Sequence, residues 1–118
     1  MASHNFRKLE IWVNAMDITK EVYTIVGNLP VDERYGLKSQ LARCSVSIPS
    51  NIAEGTGRTS VKDFGHFLDI ALGSAYELET QLLLTQELFD IETTSIIDKC
   101  QHTQRMIIGF KQKLIQNK

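Results

Sequence analysis

A chain of 118 residues, 42% of them hydrophobic, has room for one compact domain with one core, residues 1–118, and none for a second. Its polar opening, MASHNFRKLE, resembles no targeting signal, and no uninterrupted apolar run approaches the roughly 20 residues that span a bilayer, so it reads as soluble and cytoplasmic. The net charge of −1, from 13 basic and 14 acidic residues, says little until its distribution along the chain is followed.

Four helical segments are expected. In the first, about residues 6–26, Leu9, Trp12, Met16, Tyr23 and Val26 recur at three- and four-residue steps and read as its core side. Gly27 and Asn28 stop it, Pro30 follows, Asp32 can cap what comes next, and DERYG reads as a tight turn. The second helix carries Leu37, Leu41, Cys44, Ile48 and Ile52, with Gly55 and Gly57 ending it. Ser60 with Asp63 three residues on resembles a capping box, so the third should start there and run to about Phe89. Its core stripe is Phe64, Phe67, Leu68, Ala71, Ala75, Leu78 and Leu82. A fourth begins near Thr93 or Thr94 and buries Ile96, Cys100, Ile107, Phe110 and Leu114. Short links between helices of this length predict an all-α, up-down-up-down antiparallel four-helix bundle. Cys44 and Cys100 both fall on core faces, where a free thiol behaves as a small apolar group, and a chain of this size needs no disulfide.

Two helices look more apolar than one core requires. Ile11, Ile18 and Ile25 on the first lie well round from Leu9 and Met16, and Ile97, Ile108 and Ile115 form a similar flank on the fourth. Both stripes read as oligomer contacts. On the second helix, Gln40, Arg43, Ser47, Asn51 and Glu54 fall within about 80° of one another at 100° per residue and make a polar seam beside the core stripe. Pro49 interrupts that helix. It lacks an N–H, so it leaves the Ser45 carbonyl without its helical partner and predicts a kink, with Ser45, Ser47, Asn51 or water available to the freed groups.

Catalytic and metal patterns are weak. No His lies within ten residues of Ser45, Ser47 or Ser50 to act as their base. Asp63 to His66 has the spacing of a di-iron ligand pair only once, and His4, His66 and His102 share no zinc-ligand spacing with each other or with the cysteines. KDFG and GTGR lack the companion motifs of a kinase or a phosphate loop. No cofactor or metal is expected. Charge is segregated: residues 63–98 hold eight acids and no Lys or Arg, while residues 99–118 hold Lys99, Arg105, Lys111, Lys113 and Lys118 and no acid. These runs can pair within the bundle, or the basic one can meet an anionic partner, with Arg105, Lys111, Lys113 and Lys118 as nucleic-acid contacts.

The segments YGLKSQLARCSVSIPSNIAEGTGR and FLDIALGSAYELETQL, preceded by FRKLEIW, resemble the four-helix-bundle proteins encoded in 23S ribosomal RNA intervening sequences. The resemblance covers nearly the whole chain and implies a homopentameric ring. The fold is also similar to that of the accessory variability protein of diversity-generating retroelements, a ring that binds nucleic acid and a reverse transcriptase; this chain, with a pI of 6.3, departs from the strongly basic character of those relatives. The expectation is a non-enzymatic oligomeric scaffold whose partner is itself, with a nucleic-acid-binding accessory factor as the alternative.

Overall fold

A computed structural model describes residues 4–33 and 36–117. Its helices are α1 (Glu10–Gly27), α2 (Leu37–Thr56), α3 (Val61–Phe89) and α4 (Thr94–Gln116), with 3₁₀ turns at Phe6–Lys8 and Val31–Glu33. No strand occurs among the described residues. Links this short force consecutive helices to fold back on one another. Each packs on its successor and α1 packs on α4, which closes an antiparallel four-helix bundle. At a rise of 1.5 Å per residue α3 extends about 44 Å, and the molecule measures 47 × 22 × 20 Å.

The helix ends show the local chemistry at work. Ser60 caps α3 by accepting from the Asp63 amide at 3.1 Å, as its spacing predicts. α3 stops at Asp90, whose φ of 54° lies in the left-handed region that Asp tolerates better than most residues with a side chain. The start of α2 differs from expectation. Asp32 lies inside the 3₁₀ turn, and Glu33 supplies the cap, its Oε1 accepting from the Leu37 amide at 3.2 Å. Gly55 does not end α2 but is buried within it; the cap is Gly57.

The core stripes of three helices follow the sequence pattern. Leu41, Cys44, Ile48 and Ile52 on α2, Phe64, Leu68, Ala71, Ala75, Leu78 and Leu82 on α3, and Ile96, Cys100 and Ile107 on α4 are all buried. Leu37, Phe110 and Leu114 pack against them partly buried, and Phe67 is half-buried.

α1 is turned relative to the reading of its sequence. Ile11, Ile18 and Ile25 are not a flank free for another subunit: they are 2%, 1% and 6% exposed and form the core face with Ala15 and Val22. Leu9, Trp12 and Val26 sit at the edge, and Tyr23 is exposed. The physical reason is that 11, 15, 18, 22 and 25 make an unbroken i, i+4, i+7 series in which Ala15 lets the helices come close. Large aromatic rings suit the half-covered margin. Ile97 is likewise in the chain's own core at 9% exposure, so of the six isoleucines only Ile108 and Ile115 remain on the surface.

Candidate interaction surface

α2 continues through Pro49 as one helix, and what the proline removes is supplied from outside it. The Ser45 carbonyl lies 2.9 Å from Thr19 Oγ1 of α1, whose single proton it shares with Ala15 O at 3.0 Å. None of the local groups expected to serve does so: Ser45 Oγ donates to Ala42 O at 2.9 Å, and Asn51 Nδ2 donates to Ser47 O and Ser47 Oγ at 2.8 and 2.9 Å. A bond between helices thus replaces one within a helix, and it anchors α1 to the middle of α2.

The polar seam divides into a bonded centre and exposed ends. Ser47 Oγ lies 2.9 Å from Ser74 Oγ of α3, and Asn51 braces it. Gln40 and Arg43 are exposed, and Arg43 has no ion-pair partner among the described residues. Glu54 pairs with Arg58 at 3.5 Å, an exposed contact worth little, and the Arg58 guanidinium stacks 4.4 Å from the Phe67 ring centroid. Where α2 packs on the start of α3, a Cβ on Gly55 would stand 2.8 Å from Phe64 Cδ1 and 3.0 Å from Phe67 Cβ. This approach admits only glycine without a shift of the core.

Neither Ser45 nor Ser47 bonds an imidazole or carboxylate; their hydroxyls are taken by a carbonyl, Asn51 and Ser74. The thiols are equally quiet. Cys44 Sγ donates to Ser74 O at 3.0 Å and Cys100 Sγ to Ala75 O at 3.2 Å. Burial above all pushes the Cys44 thiol up to about 12, with Glu77 adding to it. Burial raises Cys100 to about 11 despite a bond from Gln104 that favours its thiolate. The three histidines lie on different faces. His4 stacks edge-on against Phe64 and Phe110, His66 edges a groove between α3 and α4, and His102 edges a cleft between α1 and α4.

That α3/α4 groove, about 480 Å³, is lined by Val61, Gly65 and Ile115 with Lys62 and His66 at its rim. Ile108 and Ile115 continue it along α4 beside Leu72. Lys111 crosses the groove to Asp69 at 2.7 Å, so the opposite charge runs do meet inside the bundle at this point. Further along the same seam, Gln101 and Gln104 donate to the two oxygens of Glu79 at 2.9 and 2.8 Å. Of the cations expected to face an anion, Lys111 is therefore engaged by Asp69, Arg105 and Lys113 are exposed without an ion pair among the described residues, and Lys118 lies outside the described residues.

The sequence reading missed the outer face of α3. Ile70, Tyr76, Leu83, Leu84 and Leu88 are exposed, Leu88 by 65%. The signal was present in Leu82, Leu83 and Leu84: three consecutive leucines span about 200° of a helix, more than one core can cover. No helix among the described residues is long and apolar enough to cross a membrane.

A family model described as 23S rRNA-intervening sequence protein matches residues 7–109. The fold is similar to the crystal structure of a protein of unknown function from the S23 ribosomal protein family of Bacteroides thetaiotaomicron, with a TM-score of 0.78 and 24% identity, covering 86% of this chain and 97% of that one. No curated protein matches the chain.

Proposed function

The chain belongs to the 23S rRNA-intervening sequence protein family, and from that membership and its surface we propose a non-enzymatic scaffold that assembles with copies of itself. The observation that carries the reading is the apolar outer face of α3, where Ile70, Leu84 and Leu88 stay exposed along the longest helix after the core has closed. Isolated apolar side chains are ordinary on a surface; a series on one helix face is the pattern of a contact. The bonded serines and protonated thiols support a role without covalent chemistry. The family resemblance implies five subunits, about 67 kDa for five chains of 13.4 kDa. Light scattering after size exclusion is expected to return that mass. A mass of one chain overturns the reading, and another multiple removes only the number five.

A second reading, a nucleic-acid-binding accessory factor, is favoured by the distribution of charge in the bundle. The antiparallel order brings Arg7, Lys8, Arg58, Lys62 and Lys113 toward one end, where they outnumber Glu10, Glu54 and Asp63, while Asp32, Glu33, Glu87, Asp90 and Glu92 outnumber Lys38 at the other. A ring of parallel bundles would repeat the basic end on one side and bind phosphates without reading sequence. Fluorescence anisotropy with labelled RNA at about 50 and 200 mM salt is expected to show weak binding that falls with salt. No binding at the lower concentration removes this reading.

A further inference from the structure

We infer that the outer faces of α1 and α3, at opposite corners of the bundle, are the two halves of one contact between neighbouring copies of the chain. The inference rests on the self-assembly proposed above and assigns the part of its α3 surface level with α1; Leu84 and Leu88 lie beyond the end of α1. α1 and α3 each pack on α2 and α4 and not on one another, so their outward faces point in opposite directions.

Two independent sets of bonds fix their relative height. Thr19 of α1 bonds the Ser45 carbonyl, and the adjoining Cys44 thiol bonds Ser74 O of α3. Around the other side, Lys99 bonds Glu21 of α1, and the adjoining Cys100 thiol bonds Ala75 O of α3. Both routes set residues 19–21 level with residues 74–75. The two helices run the same way with the same rise, so a residue of α1 stands level with the one about 54 positions later on α3.

On that scale Glu10 stands within a turn of Lys62 and His66, Val13 within a turn of Ile70, Lys20 within a turn of Glu77, and Tyr23 within a turn of Tyr76. All of these side chains are exposed. Apart from Asp17, which edges the α1/α4 cleft, the order of charge is negative then positive along α1, from Glu10 to Lys20, and positive then negative along α3, from Lys62 to Glu77. A neighbour displaced sideways, without tilt or inversion, therefore brings Glu10 against Lys62 and Lys20 against Glu77, while Val13 and Tyr23 meet Ile70 and Tyr76. None of the four charged groups has an ion-pair partner among the described residues. Gly73, midway along this face of α3, has nothing within 4 Å of the place a Cβ would occupy, which leaves room for a neighbouring helix to come close. Because the contact joins unlike faces, its repetition gives a ring when the rotation closes and a filament when it does not.

The test is charge reversal and its repair, read by light scattering. Lys20→Glu and Glu77→Lys each set like charges in contact, and each is expected to lower the mass toward that of one chain at concentrations where the wild type stays assembled. The double variant Lys20→Glu/Glu77→Lys restores opposite signs and is expected to regain the wild-type mass. Circular dichroism should report equal helix content in all four proteins, since both positions are exposed. A wild type that is itself one chain defeats the assembly reading. An assembled wild type that neither single reversal weakens, or that both weaken without repair in the double variant, overturns this contact alone.

Discussion

The α2·α3 seam and the α1·α4 seam lie on opposite sides of one core and are built on different principles. Small residues let α2 and α3 come close: Gly55 admits the ring of Phe64 and the Cβ of Phe67, and Ser47 and Cys44 bond Ser74. Between α1 and α4 there is instead a cleft of about 290 Å³, edged by Asn14, Asp17, Asp98, Lys99 and His102. Its bonds are a surface ion pair from Lys99 to Glu21 at 2.7 Å and a weak one from Asn14 to the Met106 sulfur at 3.1 Å. One side of the bundle thus holds its helices through close contacts, at Gly55 with no room for an added atom. The other holds the first helix by its isoleucine ridge and leaves the margin loose.

The largest effect that can break this comparison is expected at Gly55. Gly55→Ala gains a little helix propensity, but its methyl would stand 2.8 Å from the ring of Phe64, which is fully buried and has nowhere to go. Overpacking of this kind costs about 1–3 kcal/mol. Urea denaturation is the measure, and a variant as stable as the wild type would mean that the tight seam can yield.

Next is the link from α1 to the proline. Thr19→Val strands the Ser45 carbonyl in a buried setting, at a cost of about 1–3 kcal/mol. Pro49→Ala returns an N–H to position 49 that can bond the same carbonyl, and it should relax the bend expected there. The two changes are therefore coupled: Thr19→Val should cost clearly less when Pro49 is already Ala. Additive losses in the double-mutant cycle would show that Thr19 acts by packing alone.

A third, smaller effect concerns pH. Cys44 and Cys100 are raised from an ordinary 9.0 to about 12 and about 11. The folded chain then holds protons that the unfolded chain gives up, so their contribution is whole below about 9 and is lost as pH rises toward 11 and 12. By pH 10 the loss is about 1 kcal/mol for each thiol. Cys44→Ala should flatten that part of the stability profile. Rapid alkylation of Cys44 in the folded chain near pH 8 would mean that the tight seam opens to water.

How much of this was legible in the sequence follows from which signals were local. Ser60, the Phe64 to Leu82 stripe and the end of α3 at Phe89 could be placed because capping and a 3.6-residue period are properties of the segment itself. α1 misled because two apolar sides competed, and Trp12 and Tyr23 drew attention away from Ala15, whose small size marks the buried side. That Pro49 frees the Ser45 carbonyl could be read from the chain; that Thr19 answers it could not, because the two lie 26 residues apart and meet only once α1 and α2 have packed. The seam of Ser47 and Asn51 was placed on one side of its helix, but its partner Ser74 could be found only from the register of α2 against α3.

The smallest expected effect is the most diagnostic of the loose seam. Thr103 is 1% exposed and its hydroxyl has no hydrogen-bond partner among the described residues, although the residue borders the α1/α4 cleft. A buried hydroxyl without a partner carries a desolvation cost that an isosteric methyl does not. Thr103→Val is therefore expected to be neutral or to stabilise the fold by up to about 1 kcal/mol. Ser47→Ala on the opposite side removes a satisfied hydroxyl and should destabilise by about 1 kcal/mol. The pair of variants, compared by thermal melting, asks whether polar groups specify both seams or only one. If Thr103→Val destabilises as much as Ser47→Ala, the hydroxyl is bonded in solution, with water in the cleft as the partner, and the α1·α4 margin is an ordered polar contact rather than a gap.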